Sequence, residues 1–94
     1  MMNNIKLDSR YAIPAGIKYR YEDFGGIVYR RHDDKLFFLN SRTAIDLLDL
    51  ASTGTVQEIV GMLGQLKMPK EKIENQVLKI LNSLKELGII YEVA

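Results

Sequence analysis

Few side chains in this sequence are equipped for chemistry. Cysteine and tryptophan are absent, and His32 is the single histidine among 94 residues. Such a set cannot supply a disulfide framework, a thiolate zinc site or a cysteine nucleophile. His32 stands between Arg30-Arg31 and Asp33-Asp34. No nucleophile or orienting partner adjoins it, so as a general base it has nothing to act through. The whole cluster reads as the polar end of a hairpin. Gly25-Gly26 lacks the strand-then-helix context of a phosphate loop and reads as backbone geometry. Tyr19, Tyr21 and Tyr29 offer π faces on which bases can stack, yet tyrosines so placed more often cover a small sheet. Thirteen basic residues against twelve acidic ones and a pI near 7.9 lack the basic surplus of most nucleic-acid-binding domains, whose pI usually exceeds about 9. No constellation points to an enzyme, and no cofactor or metal is expected.

The elements that would position these residues follow from periodicity. Ile17-Lys18-Tyr19-Arg20-Tyr21-Glu22 alternates apolar and charged, the mark of a half-buried strand. Asp23-Phe24-Gly25-Gly26 interrupts it as a turn or bulge, and Ile27 to Arg31 resumes as a second strand. A His32-Asp33-Asp34 turn leads to a third strand, Lys35 to Leu39, which completes an antiparallel meander. At Asn40-Ser41, either of which can act as N-cap, the period becomes helical, with Ala44, Ile45, Leu47, Leu48 and Ala51 recurring. Gly54 is expected as the left-handed residue closing this helix. Thr55 and Glu58 form a capping box for a second helix with Val56, Ile59, Val60, Leu63 and Leu66 as its stripe. Gly61 and Gly64 weaken that helix or mark a close helix contact. Pro69 opens the third and longest helix. Its core face is predicted to be Ile73, Val77, Ile80, Leu84 and Leu87, with Leu78 and Leu81 off the core on a shoulder flanked by Glu74 and Lys85. Gly88 ends it, and Ile89 to Val93 is a short extended tail.

With 47% hydrophobic residues, the chain can bury a core. It reads as one domain over 1–94 with an N-terminal arm over 1–15. The fold class is α+β and winged-helix-like: an N-terminal three-stranded antiparallel sheet followed by three helices. The longest apolar run is Leu36 to Leu39, far short of the ~20 residues of a membrane span, and no signal-like apolar region opens the chain. A cytoplasmic protein with no membrane partner is expected.

A family resemblance rests on ordered motifs. Glu22-Asp23-Phe24-Gly25-Gly26-Ile27-Val28-Tyr29, followed by Leu36-Phe37-Phe38-Leu39-Asn40-Ser41, resembles the PqqD-like family of peptide chaperones. These are the recognition elements of ribosomally made, modified peptides. The phenylalanine-glycine-glycine strand is most similar to the mycofactocin chaperone branch, MftB. Gly54-Thr55-Val56-Gln57-Glu58-Ile59 resembles that family's helix start, and Leu84, Leu87, Gly88 and Ile89 its closing pattern. The likeness spans roughly Ile13 to Tyr91. Ser52-Thr53-Gly54 departs from it, since many members carry an acidic residue before this glycine.

The resemblance implies a binding module without chemistry of its own. The leader of a precursor peptide would add as a strand to the third strand, lie between it and the third helix, and be presented to a modifying enzyme, often a radical SAM maturase. The physics is compatible, because an open edge exposes unpaired N–H and C=O groups that an extended peptide can complete. The expected peptide-binding set is Leu36, Phe37, Phe38 and Leu39 on the strand, and Glu74, Leu78, Leu81 and Lys85 on the helix. Leu78 and Leu81 are equally well read as packing under the N-terminal arm or a dimer partner. Phe37→Asp or Leu81→Asp is expected to weaken binding while sparing the fold. Five bases against three acids over residues 67–86 would favour an acidic leader, although a solvated face is the commoner use of such charges. The alternative reading is a winged-helix DNA-binding regulator. Against it, carboxylates are interleaved through Lys70-Glu71-Lys72-Ile73-Glu74, where a recognition helix would meet phosphate. Nucleic acid is therefore not the expected partner; homodimerisation by strand exchange remains compatible with the open edge.

Overall fold

The computed structural model describes residues 4–63 and 70–93. The expectations placed on Gly64, Leu66, Lys67 and Pro69, and on the side chain of Lys70, fall outside the described residues. The order is β1 (Arg10–Ala12), β2 (Ile17–Glu22), β3 (Gly25–Arg30), β4 (Lys35–Leu39), α1 (Arg42–Asp49), α2 (Val56–Leu63), α3 (Lys70–Glu86) and β5 (Tyr91–Val93). The α+β architecture and the β2-β3-β4 antiparallel meander match the sequence reading. Its third strand is β4. β1 and β5 form a second, two-stranded antiparallel sheet, which periodicity did not reveal because each strand is three residues long.

The period-two segment forms β2 and turns through Asp23-Phe24 directly into β3, with Glu22 paired to Gly25 and Ile17 to Arg30. The two glycines lie at the buried start of β3 because the backbone passes close to its neighbours. Gly25 has a φ of 144°, and a Cβ there would overlap the Leu39 carbonyl and the Ser41 amide. A Cβ at Gly26 would overlap the Ile45 side chain. The β3–β4 connection takes in Arg31 as well as His32-Asp33-Asp34. A 3-10 turn over Arg31–Asp33 is closed by Asp34 at φ 54°, a left-handed conformation that Asp tolerates better than most residues.

Ser41 is the N-cap of α1, its Oγ accepting from the Ala44 N–H at 3.2 Å. The left-handed residue after α1 is Ser52 (φ 67°), not Gly54. Ser52 donates its N–H to the Tyr11 carbonyl at 3.1 Å, so a tertiary bond sets that conformation. The capping box of α2 forms as expected: Glu58 N–H donates to Thr55 Oγ1 at 3.3 Å and Thr55 N–H to Glu58 Oε1 at 2.9 Å. A Cβ at Gly61 would meet no described atom outside its own helix turn within 4 Å, so the glycine marks no close helix contact among the described residues. Gly88 (φ 73°) ends α3, with Ile89 N–H returning to the Leu84 carbonyl at 3.0 Å, a Schellman-type closure.

The core lies between the inner face of the meander and the three helices, and the N-terminal arm completes it. Ile5 is 2% exposed, and its N–H donates to Asn82 Oδ1 at 2.7 Å. The Leu7 and Ser9 carbonyls accept from the Gln57 and Val56 amides at the start of α2, each at 2.8 Å, so the arm satisfies donors that a helix leaves unpaired. Tyr11 is fully buried and donates its hydroxyl to the Leu47 carbonyl in the last turn of α1. Burial pushes its phenol pKa up.

This arm explains a correction in α3. The residues turned inward are Ile73, Val77, Leu81 and Leu84, from 0 to 5% exposed. Leu81 is a core residue rather than part of a shoulder, and Leu87, expected in the core, is 37% exposed. At about 100° per residue the inward face is rotated towards the Leu78 side. There the arm packs, with the Ile5 N–H donating to Asn82 Oδ1 at 2.7 Å.

Candidate functional site

The meander has two edges, β2 and β4, and β4 is the one that shares a cleft with α3. In an antiparallel sheet the N–H and C=O of one residue point the same way, and successive residues alternate. The Arg31 N–H reaches back to the Gly16 carbonyl at 3.0 Å, which turns Arg30, Val28 and Gly26 towards β4. Their partners are Lys35, Phe37 and Leu39. The backbone groups of Leu36 and Phe38 therefore face the open edge.

Side chains alternate in step. Phe37 and Leu39 are half-buried and pack against the core, while Leu36 and Phe38 lie on the outer face at 53% and 64% exposure. Beyond the edge, the end of β4, the start of α1 and the last turns of α3 enclose a cleft of about 330 Å³. Phe38, Leu39, Ala44, Ile80, Leu84 and Leu87 supply its apolar wall, and Ser83 and Lys79 its polar rim.

Of the residues expected on α3, none lines this cleft. Leu81 is buried. Leu78 is half-buried against the core. Lys85 pairs with Glu92 of β5 at 3.6 Å, and Glu74 is half-buried on the same flank. The cleft is on the opposite flank, so Ile80 and Leu87 take the place assigned to Leu78 and Leu81. An aspartate at position 81 would disrupt the core rather than probe a groove. The lysines are likewise not gathered there: of the described α3 side chains, Lys79 lines the cleft, Lys72 is exposed elsewhere and Lys85 is paired. The helical wheel contained the missed signal, since Ile80 and Leu87 sit together on one margin of the predicted stripe.

Arg30 joins the hairpin to α3. Its Nη1 donates to the Leu87 carbonyl, its Nε and Nη2 grip both oxygens of Asp33 at 2.9 and 2.7 Å, and its guanidinium lies 5.0 Å over the Phe37 ring. Hydrogen bonding to Arg30 holds the Asp33 carboxyl at about 2, below the usual carboxylate range. The clamp thus fixes one wall of the cleft against the other. His32 is exposed, 3.9 Å from Asp33, at the polar end of this hairpin. Two of the tyrosines bind the meander to α1: Tyr19 donates to Asp49 at 2.8 Å, and Tyr21 to both Asp46 and Asp49. The hydrogen bond to Asp46 is the main cause of the raised phenol pKa of Tyr21; desolvation is the main cause for Tyr19. No helix among the described residues is long and apolar enough to cross a membrane.

An open strand edge beside an apolar cleft is the geometry of extended-peptide capture. A solved chain described as lasso peptide synthetase B1 complexed with the leader peptide is similar with a TM-score of 0.71 at 17% identity, over 87% of this chain and 98% of that one. At that identity the likeness establishes the fold. No curated protein matches the chain. The model of the peptide chaperone MftB family matches residues 10–91. The chain therefore belongs to the peptide chaperone MftB family.

Proposed function

We propose that this protein binds the leader of a ribosomally made precursor peptide by strand addition to β4 and presents it to a modifying enzyme, with a radical SAM maturase as the expected class. The observation that carries this reading is the open edge at Leu36 and Phe38 beside the α3 cleft. Their two N–H and two C=O groups provide a ladder for an extended chain, and Ile80, Leu84 and Leu87 provide an apolar seat for a side chain directed inwards. Family membership supports a peptide ligand, and the likeness to a chain solved with a leader peptide supports a leader. No catalytic step is assigned to the domain; its contribution is to hold a flexible segment extended and release it.

The test is calorimetric titration with the N-terminal segment of the small precursor encoded beside this gene, followed by amide hydrogen exchange. Leu36 and Phe38 amides are expected to gain protection in the complex. Leu87→Asp is expected to weaken binding more than tenfold, a cost of about 1.4 kcal/mol or more, with an unchanged circular dichroism spectrum. Binding without protection at Leu36 and Phe38 refutes strand addition. Absence of binding to any such peptide, together with a shift of duplex DNA, replaces the reading with a regulator.

A further inference from the structure

Cross-strand partners in a sheet project to the same face, so the outer surface of the meander is organised in rows. One row is Lys18, Tyr29 and Leu36; the next is Arg20, Ile27 and Phe38. Each begins with a cation on β2 and ends with an exposed apolar side chain at the open edge. A shallow depression of about 360 Å³ covers both rows. Phe24, 46% exposed at the β2–β3 turn, extends this shelf with its ring centroid 6.3 Å from that of Phe38. The Tyr29 hydroxyl donates to Asp34, which fixes its ring. Phe38 lines both this depression and the α3 cleft, so the two apolar surfaces meet around the β4 edge.

We propose, resting on the strand-addition reading, that the segment of peptide bound here is apolar on both faces, and that the outer sheet face is a second specificity surface. The register sets where its side chains point. The edge-facing backbone groups belong to Leu36 and Phe38, so the peptide residues paired with them send their side chains to the outer face. The residue between those two sends its side chain inwards to Ile80, Leu84 and Leu87. An ordinary half-buried strand alternates polar and apolar positions. That pattern would lay polar side chains over Leu36 and Phe38 and leave the largest exposed apolar surface of the edge uncovered. Three consecutive apolar residues satisfy both surfaces.

The charge of each row lies at its far end. Strands lie about 4.7–4.9 Å apart, which puts the β2 backbone at Lys18 and Arg20 roughly 14 Å from that of an added strand. Arg20 is also engaged by Glu22 at 2.7 Å. The side chains of each row nearest the peptide, Leu36 and Phe38, are apolar, so the outer positions meet an apolar surface first.

The experiment selects a randomised seven-residue peptide library, displayed on phage, on the intact protein. An enriched peptide is then titrated into wild type, Leu36→Ser, Phe38→Ser and Leu87→Ser. Enrichment of a three-residue apolar run is expected. Leu36→Ser and Phe38→Ser should each weaken binding by roughly tenfold, about 1.4 kcal/mol, with native circular dichroism, since both side chains are already exposed. Replacing the first or third apolar residue of the peptide by serine should cost wild type more than Phe38→Ser. If enriched peptides carry one apolar residue between polar ones, or only Leu87→Ser loses affinity, the second surface is refuted while strand addition stands. If no peptide is enriched, or binding ignores all three substitutions, both fall.

Discussion

Replacing Gly26 by alanine tests why β3 begins with two glycines. The new methyl group would overlap Cδ1 and Cγ1 of Ile45 and stand 2.9 Å from the Arg20 carbonyl oxygen. Overpacking of this kind costs about 1–3 kcal/mol, offset by up to about 1 kcal/mol from removing glycine's backbone entropy. Gly26→Ala should therefore destabilise by up to about 2–3 kcal/mol. Ile45 is fully buried, and Ile45→Ala alone should cost about 2–5 kcal/mol. In the double variant the methyl enters the space vacated by Ile45, and only the contact with Arg20 remains. The two costs should then fall short of additivity by at least about 1 kcal/mol, against the ~0.3–0.5 kcal/mol scatter of independent sites. Urea unfolding followed by far-UV circular dichroism reads all four corners of the cycle, provided the slope with urea stays constant. Gly25→Ala is the internal control. Its clash is with backbone, at the Leu39 carbonyl and Ser41 amide, and its φ of 144° suits glycine alone, so Ile45→Ala should not relieve it. Additive costs for Gly26→Ala and Ile45→Ala, or equal rescue of Gly25→Ala, would refute the packing argument.

Two further substitutions probe supports distant from the peptide edge. Tyr11→Phe leaves the Leu47 carbonyl without its buried donor and should cost about 1–3 kcal/mol in urea unfolding; an unchanged midpoint would mean that the hydroxyl is dispensable. Arg30→Met should return the Asp33 carboxyl from about 2 to its ordinary value near 3.8, read by carbon NMR of the side-chain carboxyl. Because the folded value is depressed, the contribution of this pair is complete above about pH 3.8 and is lost as pH falls through about 2. The stability difference between wild type and Arg30→Met should therefore shrink across that window. An Asp33 that titrates near 3.8 in wild type would remove the clamp from the account.

Much of the architecture was legible because its causes are local. The alternation in β2, the α1 cap and the Thr55–Glu58 capping box each involve residues within a few positions of one another; the first and last formed as read, and of the two cap candidates Ser41 took the role. The same holds for β4, whose run of four apolar residues left only the choice of faces open. Register settled that choice in favour of Phe37 and Leu39 inwards.

Local periodicity was enough to set the order of elements and to mark an apolar strand before α1. The tertiary structure decided the rotation of α3, and with it the composition of the cleft. A helical wheel with apolar residues over a broad arc fixes a stripe only to within tens of degrees. The remainder depends on which flank another segment covers. Ile5 and its hydrogen bond to Asn82, 77 positions away, cover the Leu78 flank, draw Leu81 into the core and leave Ile80 and Leu87 facing β4. No periodicity within α3 encodes that contact, because the partner that decides it lies at the other end of the chain.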